Sequence, residues 1–278
     1  MKHIYLNLKR FDVPAEFGGV NRGLPLQTWG HDIVTQTQGE LMRYGPTEVE
    51  FVQYFPEAHI LSAVAALCEN SPVQIGCQSV YRMNTAVGGN FGAFTSNRPA
   101  SIAKAMGCTS TIIGHCEERS DLTGVLAEAG IVDGAAVNHL LNQKIKVSLD
   151  QGLTVLYCIG EKREEQDHWQ QVLGDQLAIG LDGIDTSKVV IAYEPVWSIG
   201  PGRTPADKPY ITKVSRFIKD VTGGLDVVYG GGLKSENAEM LASIDEIDGG
   251  LIALTRFVGE FGFYADEYVR IIRRYLGK

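Results

Sequence analysis

The residues best placed to do chemistry lie in residues 189–205, which read VVIAYEPVWSIGPGRTP. The stretch begins as a short apolar run rich in β-branched residues, typical of a buried parallel strand, and Glu194 stands where that strand ends. Pro195 stops the strand, and the glycines that follow allow the loop to move and its N–H groups to approach a ligand. This position indicates a catalytic base under a mobile loop. A solvated acid beside a surface turn is the alternative interpretation.

Further functional side chains follow other predicted strands. If the strands form a barrel, residues just past their carboxyl ends share one face. That face would bring Asn7 and Lys9 together with His115, Glu117 and Glu194, and with a glycine triplet at residues 230–232. Taken singly, the histidine is more often a core or surface residue, the lysine a solvated charge and the triplet a turn. Their shared position is what predicts an active site.

Eight short apolar runs would have to position these side chains. They span residues 3–8, 48–54, 73–80, 110–114, 153–159, 189–193, 226–229 and 250–254. Segments of helical spacing alternate with them, at residues 31–44, 59–69, 98–106, 135–151, 164–179, 207–222, 235–241 and 264–276. This alternation predicts an α/β protein, a closed (β/α)8 barrel in which residues 1–278 form a single domain. An open doubly wound sheet is the alternative, but no G-x-G-x-x-G follows an early strand.

The composition excludes several classes of protein. The chain has 278 residues, 44% of them hydrophobic and 21% charged, as in an ordinary globular protein. A net charge of −8 argues against a nucleic-acid partner. The sequence has no apolar run long enough for a membrane span and shows no signal-peptide pattern, so we expect a cytoplasmic location. The five scattered cysteines indicate reduced thiols, and neither a disulfide frame, a metal site nor a cofactor is predicted.

Six segments resemble the triosephosphate isomerase family. They are NLK (7–9), GAFT (92–95), IIGHCEER (112–119), CIGE (158–161), YEPVWSIGPGRT (193–204) and YGGG (229–232). The resemblance extends along most of the chain. It implies the TIM barrel and an aldose–ketose isomerisation, in which a proton moves between adjacent carbons through an enediolate.

The resemblance also implies a role for each residue. Glu194 matches the family's base, and His115 matches its neutral imidazole electrophile. Lys9 would supply fixed positive charge and Asn7 a hydrogen bond, whereas Glu117 matches a site acid whose role stays open. The phosphate would be held by backbone N–H groups around the positions Gly200, Gly231, Gly232, Ala253 and Leu254. The lid that excludes water would include Pro195, Val196, Trp197, Arg203 and Thr204.

The strand-8 loop and the lid contacts depart from the family pattern. Residues 251–256 read LIALTR where the family has LVGGAS, so side chains at Ala253 and Leu254 replace two glycines. Arg256 could compensate as a fork-shaped phosphate donor, or be an ordinary surface arginine. Gly232 lacks the hydroxyl that latches the family's closed lid, and Pro205 lacks the hinge N–H that the family's tyrosine bonds.

The segments around GAFT differ as well. Asn97 and Glu118 replace the two members of a family ion pair, and residues 82–91 form a longer approach to GAFT. Because the GAFT loop docks into the partner subunit in the family, we expect a homodimer. No membrane or nucleic-acid partner is expected.

The leading hypothesis is therefore an isomerase of a small phosphorylated sugar. Its substrate would be a triose phosphate (glyceraldehyde 3-phosphate and dihydroxyacetone phosphate) or, as we favour, a four-carbon tetrulose phosphate. The base, electrophile and lysine are retained while the phosphate and dimer loops have changed, as expected for a new substrate of one reaction type. A non-catalytic phosphosugar-binding protein is the alternative, but a binder has no use for a base such as Glu194.

Overall fold

The computed structural model describes residues 1–200 and 203–277. Its eight parallel strands are β1 (Lys2–Asn7), β2 (Val49–Phe55), β3 (Val73–Gln78), β4 (Ser110–Ile113), β5 (Thr154–Ile159), β6 (Val189–Tyr193), β7 (Val227–Tyr229) and β8 (Gly249–Ile252). Each strand pairs with the next, and β8 pairs with β1 to close the barrel. Closure confirms the predicted (β/α)8 architecture in a single domain and excludes the open sheet.

Helices lie between the strands and around the barrel. They are α1 (Trp29–Leu41), α2 (Glu57–Ala65), α3 (Ala100–Ala105), α4 (Cys116–Glu128), α5 (Gly134–Asp150), α6 (Trp169–Gly180), α7 (Lys208–Thr222), α8 (Ala238–Ala242) and α9 (Ala265–Leu276). No helix within the described ranges combines the length and apolar character that a membrane crossing requires.

The sequence pattern missed α4 and misplaced some ends. None of the residues of α4 is buried, so the helix has no apolar stripe from which periodicity could reveal it. The helix predicted from residue 164 begins as a 3-10 helix at Arg163–His168, and α6 itself starts at Trp169. The strand predicted to run to residue 254 ends at Ile252, which leaves Ala253 and Leu254 in a loop.

The barrel interior is filled by alternate side chains of the strands. Tyr5, Tyr54, Ile112, Leu156 and Leu251 belong to this inner cluster and are at most 3% exposed. β3 contributes Gly76 at this level, where a Cβ would come within 2.4 Å of the Tyr54 ring. The glycine therefore makes room for the tyrosine. A larger cluster fills the space between the strands and the helices.

A charged network closes the end of the barrel where the strands begin. His3 is 4% exposed, and its two ring nitrogens lie 2.8 Å from Glu50 Oε2 and 2.8 Å from Asp226 Oδ2. The Tyr5 hydroxyl also donates to Glu50 Oε2, at 2.7 Å. The network links β1 and β2 to the chain just before β7, at the end of the barrel opposite the predicted site.

The long segment after β1 is fixed to the barrel through a buried acid. Asp12 Oδ2 lies 3.0 Å from His59 Nε2 on α2 and accepts a hydrogen bond from Arg10 at 2.7 Å. The segment, α1 and α9 enclose a cavity of about 760 Å³, lined by side chains such as Trp29 and Phe263. This cavity does not include the residues predicted to be catalytic.

Candidate active site

Glu194 is the buried carboxylate of the site. It follows β6 directly and is 1% exposed, and its Oε2 accepts a hydrogen bond from the Cys116 backbone N–H at 2.9 Å. Two glycines make room for it. A Cβ at Gly230 would come within 2.7 Å of Glu194 Cγ, and one at Gly160 within 1.8 Å of Glu194 O. Burial raises the pKa of Glu194 above its ordinary value, although His115 and the Cys116 N–H oppose the shift.

His115 lies beside that carboxylate and caps α4. Its Nδ1 accepts a hydrogen bond from the Glu117 backbone N–H at 3.3 Å. A ring nitrogen that accepts a hydrogen bond carries no proton, so this contact favours the neutral imidazole with its N–H at Nε2. Nε2 lies 3.1 Å from Glu194 Oε1, but the geometry is not that of a hydrogen bond.

The ammonium group of Lys9 completes the central part of the site. Lys9 has a positive φ of 41°, and its Nζ lies 2.6 Å from Glu117 Oε1. Asn7 Oδ1 accepts from the Lys9 backbone N–H at 3.1 Å and from Gln78 Nε2 at 3.3 Å. Burial opposes the charge of Glu117, but Lys9 outweighs it and holds the pKa of Glu117 below its ordinary value.

The five predicted catalytic residues thus lie together at the carboxyl end of the barrel. A cavity of about 300 Å³ is lined by Asn7, Lys9, His115 and Glu117, together with Gln78. Lys9 therefore faces the same space as His115, and Glu194 borders His115 from the other side. This is the arrangement that the strand-end argument predicted.

Gln78 and Arg119 are site residues that the sequence analysis missed. Gln78 lies at the end of β3 and also donates to the Lys9 carbonyl at 3.0 Å, so it holds the strained backbone at Lys9. Arg119 donates to the carbonyls of Gly114 and Cys158 and to the Tyr157 hydroxyl. It fixes the start of α4 against β5. The sequence signal for Gln78 was its position at a strand end. Arg119 is the last residue of the motif at residues 112–119, and the sequence analysis gave it no role.

The predicted lid is held through Glu161, another residue to which the sequence analysis gave no role. Trp197 lies in a 3-10 helix, Val196–Ser198, and its Nε1 donates to Glu161 Oε1 at 2.7 Å. The hydroxyls of Tyr193 and Tyr210 donate to the same oxygen, both at 3.0 Å.

The later residues of the predicted lid lie at the surface. Gly200, Arg203 and Thr204 are exposed, whereas Pro195 is buried and Val196 half-buried. Gly200 has a φ of 112°, which favours glycine. Pro201 and Gly202, which the sequence analysis included in the moving segment, lie outside the described residues.

The residues predicted to bind phosphate lie in the loops after β7 and β8. Gly232 has a φ of 97°, and the following Leu233 donates its N–H to Leu251 O at 2.9 Å, which ties the two loops together. Gly231 lies one residue before it, and Ala253 and Leu254 follow β8, all three half-buried.

Arg256 belongs to a hairpin in the strand-8 loop, closed by an antiparallel bridge to Gly262. Its Nε and one terminal nitrogen each lie 2.8 Å from Glu267 Oε1, and its guanidinium stacks 3.5 Å above the Tyr264 ring. The guanidinium is therefore engaged by α9, and its predicted phosphate contact stays a prediction.

Comparison with known proteins places this geometry in a family. The model of the triosephosphate isomerase family matches residues 31–274. The chain belongs to the triosephosphate isomerase family. A triosephosphate isomerase of Pelodictyon phaeoclathratiforme is 35% identical over 225 residues, and that of Syntrophotalea carbinolica is 32% identical over 226 residues. Each alignment covers 77% of this chain and 80% of the relative. Membership of the family makes the protein an isomerase.

A solved structure extends the likeness to the whole fold. Triosephosphate isomerase from Bartonella henselae superposes with a TM-score of 0.72 over 99% of both chains, at 23% identity. The family match begins at residue 31, after β1. Asn7 and Lys9 therefore lie outside the matched segment, and the barrel fold brings them to the site.

The lost family ion pair is replaced by another arrangement in this chain. Glu118 forms an ion pair with Lys144 of α5 at 2.5 Å and accepts from the Gly114 backbone N–H at 2.6 Å. The Asn97 side chain donates to the nearby carbonyl of Thr95, at 3.3 Å. Glu118 thus connects the turn before His115 to α5 and not to the loop of residues 82–97.

Three side chains at the site are of types that bind metals. Ligand atoms of His115, Cys116 and Glu194 lie within 4.8 Å of one another. The imidazole, however, faces Cys116 Sγ with Nδ1, at 3.7 Å, and Glu194 with Nε2, at 3.1 Å. One ion binds one ring nitrogen, so these side chains would have to rearrange to form a common site. Burial and Glu194 also raise the pKa of the Cys116 thiol to about 12, which favours its protonated form.

Proposed function

We propose that the protein isomerises a small phosphorylated sugar through an enediolate, with Glu194 as the base and His115 as the neutral electrophile. The observation that carries the proposal is the contact between Glu194 Oε1 and His115 Nε2, 3.1 Å apart at the carboxyl end of the barrel. One group that takes a proton from carbon and one that donates to oxygen are what the reaction requires at adjacent atoms.

The proposed reaction moves one proton between two carbons and one between two oxygens. Glu194 takes the proton from the hydroxyl-bearing carbon beside the carbonyl group, and the bond electrons pass to the carbonyl oxygen. The imidazole of His115 donates its Nε2 proton to that oxygen and takes the proton of the neighbouring hydroxyl, while Glu194 returns its proton to the former carbonyl carbon. Lys9 contributes positive charge, and its ion pair with Glu117 at 2.6 Å fixes the ammonium before substrate binds.

The raised pKa of Glu194 supports its role as the base. A carboxylate with an ordinary pKa is a weak base toward a carbon acid, and burial brings the pKa nearer the working pH. The lid anchored at Trp197 would exclude water from the enediolate, which limits loss of the phosphate group.

We propose a tetrulose phosphate as the preferred substrate and the triose phosphates as poorer ones. The strand-8 loop places Ala253 and Leu254 where the family has glycines, and the loop continues into the hairpin at Arg256. These side chains displace the phosphate from its usual position, which misaligns the reacting carbons of a triose with Glu194. A misplacement of about 1 Å costs on the order of a hundredfold in rate. One more carbon restores the alignment.

We also propose that the protein is a cytoplasmic homodimer. The loop of residues 82–97 exposes large apolar side chains, with Phe91 93% and Val87 fully accessible to solvent. Such a surface is typical of a protein–protein contact. Cys77, Cys108 and Cys158 are free and buried, as expected for thiols in a reducing compartment.

Steady-state kinetics on four-carbon and three-carbon sugar phosphates test the proposed function. We expect kcat/KM on a tetrulose phosphate to exceed that on dihydroxyacetone phosphate and glyceraldehyde 3-phosphate. Diffusion-limited turnover of the triose phosphates without activity on four-carbon sugars would make the protein an ordinary triosephosphate isomerase. Tight binding of these sugars with no turnover of any would favour the phosphosugar-binding alternative.

A further inference from the structure

Two basic side chains lie at the phosphate end of the site, and they differ in what surrounds them. Arg256 has two of its nitrogens on Glu267. Lys234 lies in the loop after β7, and its Nζ stands 4.0 Å from the centre of the Phe257 ring in the strand-8 loop. Lys234 thus bridges the two loops that form the phosphate end.

Lys234 is also directly beside the glycine turn. A Cβ built on Gly232 would come within 3.4 Å of Lys234 Cε. The turn is held in place by Asn237, whose Oδ1 accepts from the Lys234 N–H at 2.8 Å and whose Nδ2 donates to the Gly232 carbonyl at 2.9 Å. The lysine side chain therefore passes over the position where the family carries a serine side chain.

The ammonium of Lys234 is available to an anion. Within the described chain it has no carboxylate within 4.0 Å, and Glu236 acts on it only from further away. Burial lowers the pKa of Lys234 below its ordinary value, as expected for a cation that is partly desolvated without a close counter-charge. The Phe257 ring offers only a cation–π contact, which leaves the N–H groups free to donate.

The distance from the base also suits a small sugar phosphate. Gly230 touches Glu194, since a Cβ there would come within 2.7 Å of Glu194 Cγ. Gly232 is two residues further along, and because two fully extended residues span about 7 Å, the turn lies no further than that from Gly230. A substrate whose reacting carbons meet Glu194 would thus carry its phosphate to the Gly232 turn and Lys234.

We propose that Lys234 binds the substrate's phosphate through its ammonium group, and that this charged contact compensates for the crowding of the strand-8 loop by the side chains of Ala253 and Leu254. This inference rests on the proposed function, since it assigns the phosphate of that substrate. Lys234 is then a binding residue whose loss raises KM, whereas loss of Glu194 lowers kcat.

Direct binding of inorganic phosphate separates this inference from the reaction itself. Calorimetric titration would be carried out on the wild type and on Lys234→Gln, Lys234→Arg, Arg256→Gln and the distant surface variant Lys146→Gln. We expect Lys234→Gln to weaken phosphate binding about 10- to 100-fold, as for a lost charge-assisted hydrogen bond. Lys234→Arg and Lys146→Gln should stay within about threefold of the wild type, and Arg256→Gln should lose less than Lys234→Gln.

Kinetics and thermal unfolding complete the test. If Lys234 binds phosphate, Lys234→Gln raises KM by a similar factor, leaves kcat within about threefold and keeps the wild-type Tm. Unchanged phosphate affinity in Lys234→Gln, a larger loss in Arg256→Gln, or no phosphate binding by the wild type at millimolar concentration would each overturn the inference. Phosphate binding that depends on Lys234 in a protein without isomerase activity would support the inference and refute the proposed function.

Discussion

Gly230 leaves the space that the side chain of Glu194 occupies, because a Cβ at residue 230 would come within 2.7 Å of Glu194 Cγ. The same Cβ would approach the Tyr193 carbonyl oxygen to 2.9 Å. The strand-7 loop therefore sets the position of the carboxylate, which accepts a hydrogen bond from the Cys116 N–H at the start of α4.

Substitution of Gly230 by alanine should displace the base. We expect Gly230→Ala to lower kcat by about a hundredfold with a smaller change in KM, since a shift of about 1 Å in a catalytic group has that effect. Gly124→Ala is the matched control, because a Cβ at Gly124 meets no atom within 4 Å. Wild-type kcat in a folded Gly230→Ala variant would show that the carboxylate position is not critical.

The second prediction concerns Glu161, whose Oε1 accepts from Tyr193, Trp197 and Tyr210. Glu161→Leu leaves three donors without their acceptor, so we expect unfolding free energy to fall by about 3 kcal/mol or more. Urea titration measures the loss. Glu161→Gln keeps an acceptor oxygen and should lose clearly less. Equal stability of the two variants would argue against the hydrogen bonds as the source of the effect.

The third prediction concerns pH and the network at the opposite end of the barrel. Burial opposes the charge of His3, but Glu50 and Asp226 outweigh it, so the pKa of His3 is raised above its ordinary value. A raised histidine pKa contributes stability below the unfolded value of about 6.5, and this is lost as pH rises through the folded value. We therefore expect His3→Gln to destabilise the protein more at pH 6 than at pH 9.

Denaturant titrations of both proteins across that range check the sign. The difference in unfolding free energy between wild type and His3→Gln should shrink as pH rises. A difference that is constant, or that grows toward pH 9, would contradict the charged network.

The sequence predicted the strands more completely than the helices, for a physical reason. Strands buried on both faces read as continuous apolar runs, and all eight were found with ends that agree to within two residues. The polar helix α4 gives no such signal, although it carries the backbone N–H groups that hold Glu194 and His115.

Site residues were predicted where strand position alone brings them together. Asn7, Lys9, His115 and Glu194 lie at strand ends, and barrel geometry places such residues on one face. The proposed role of Lys234 and the hydrogen bonds of Glu161 were not predicted, because both depend on side-chain contacts between separate loops, which spacing along the chain does not show. Arg256 could not be assigned for the same reason, since its partner Glu267 lies on α9.

The fourth prediction concerns assembly. Phe91 is 93% exposed in the loop that we propose to lie at a dimer interface. We expect a dimer by light scattering at micromolar concentration, and a weaker dimer in Phe91→Ser. Phe17→Ser is the control, because Phe17 is 76% exposed in the segment after β1. A wild-type monomer, or equal effects of the two variants, would refute the interface.

Exchange of substrate carbon-bound hydrogen for deuterium tests the central claim most directly. Proton NMR in D₂O would follow a tetrulose phosphate and dihydroxyacetone phosphate with the wild type and with Glu194→Gln. The account predicts deuterium at the carbon beside the carbonyl group, faster on the four-carbon sugar, with the rate about 10³-fold lower in Glu194→Gln. Exchange by Glu194→Gln at the wild-type rate, or no exchange by the wild type on either sugar, would contradict it.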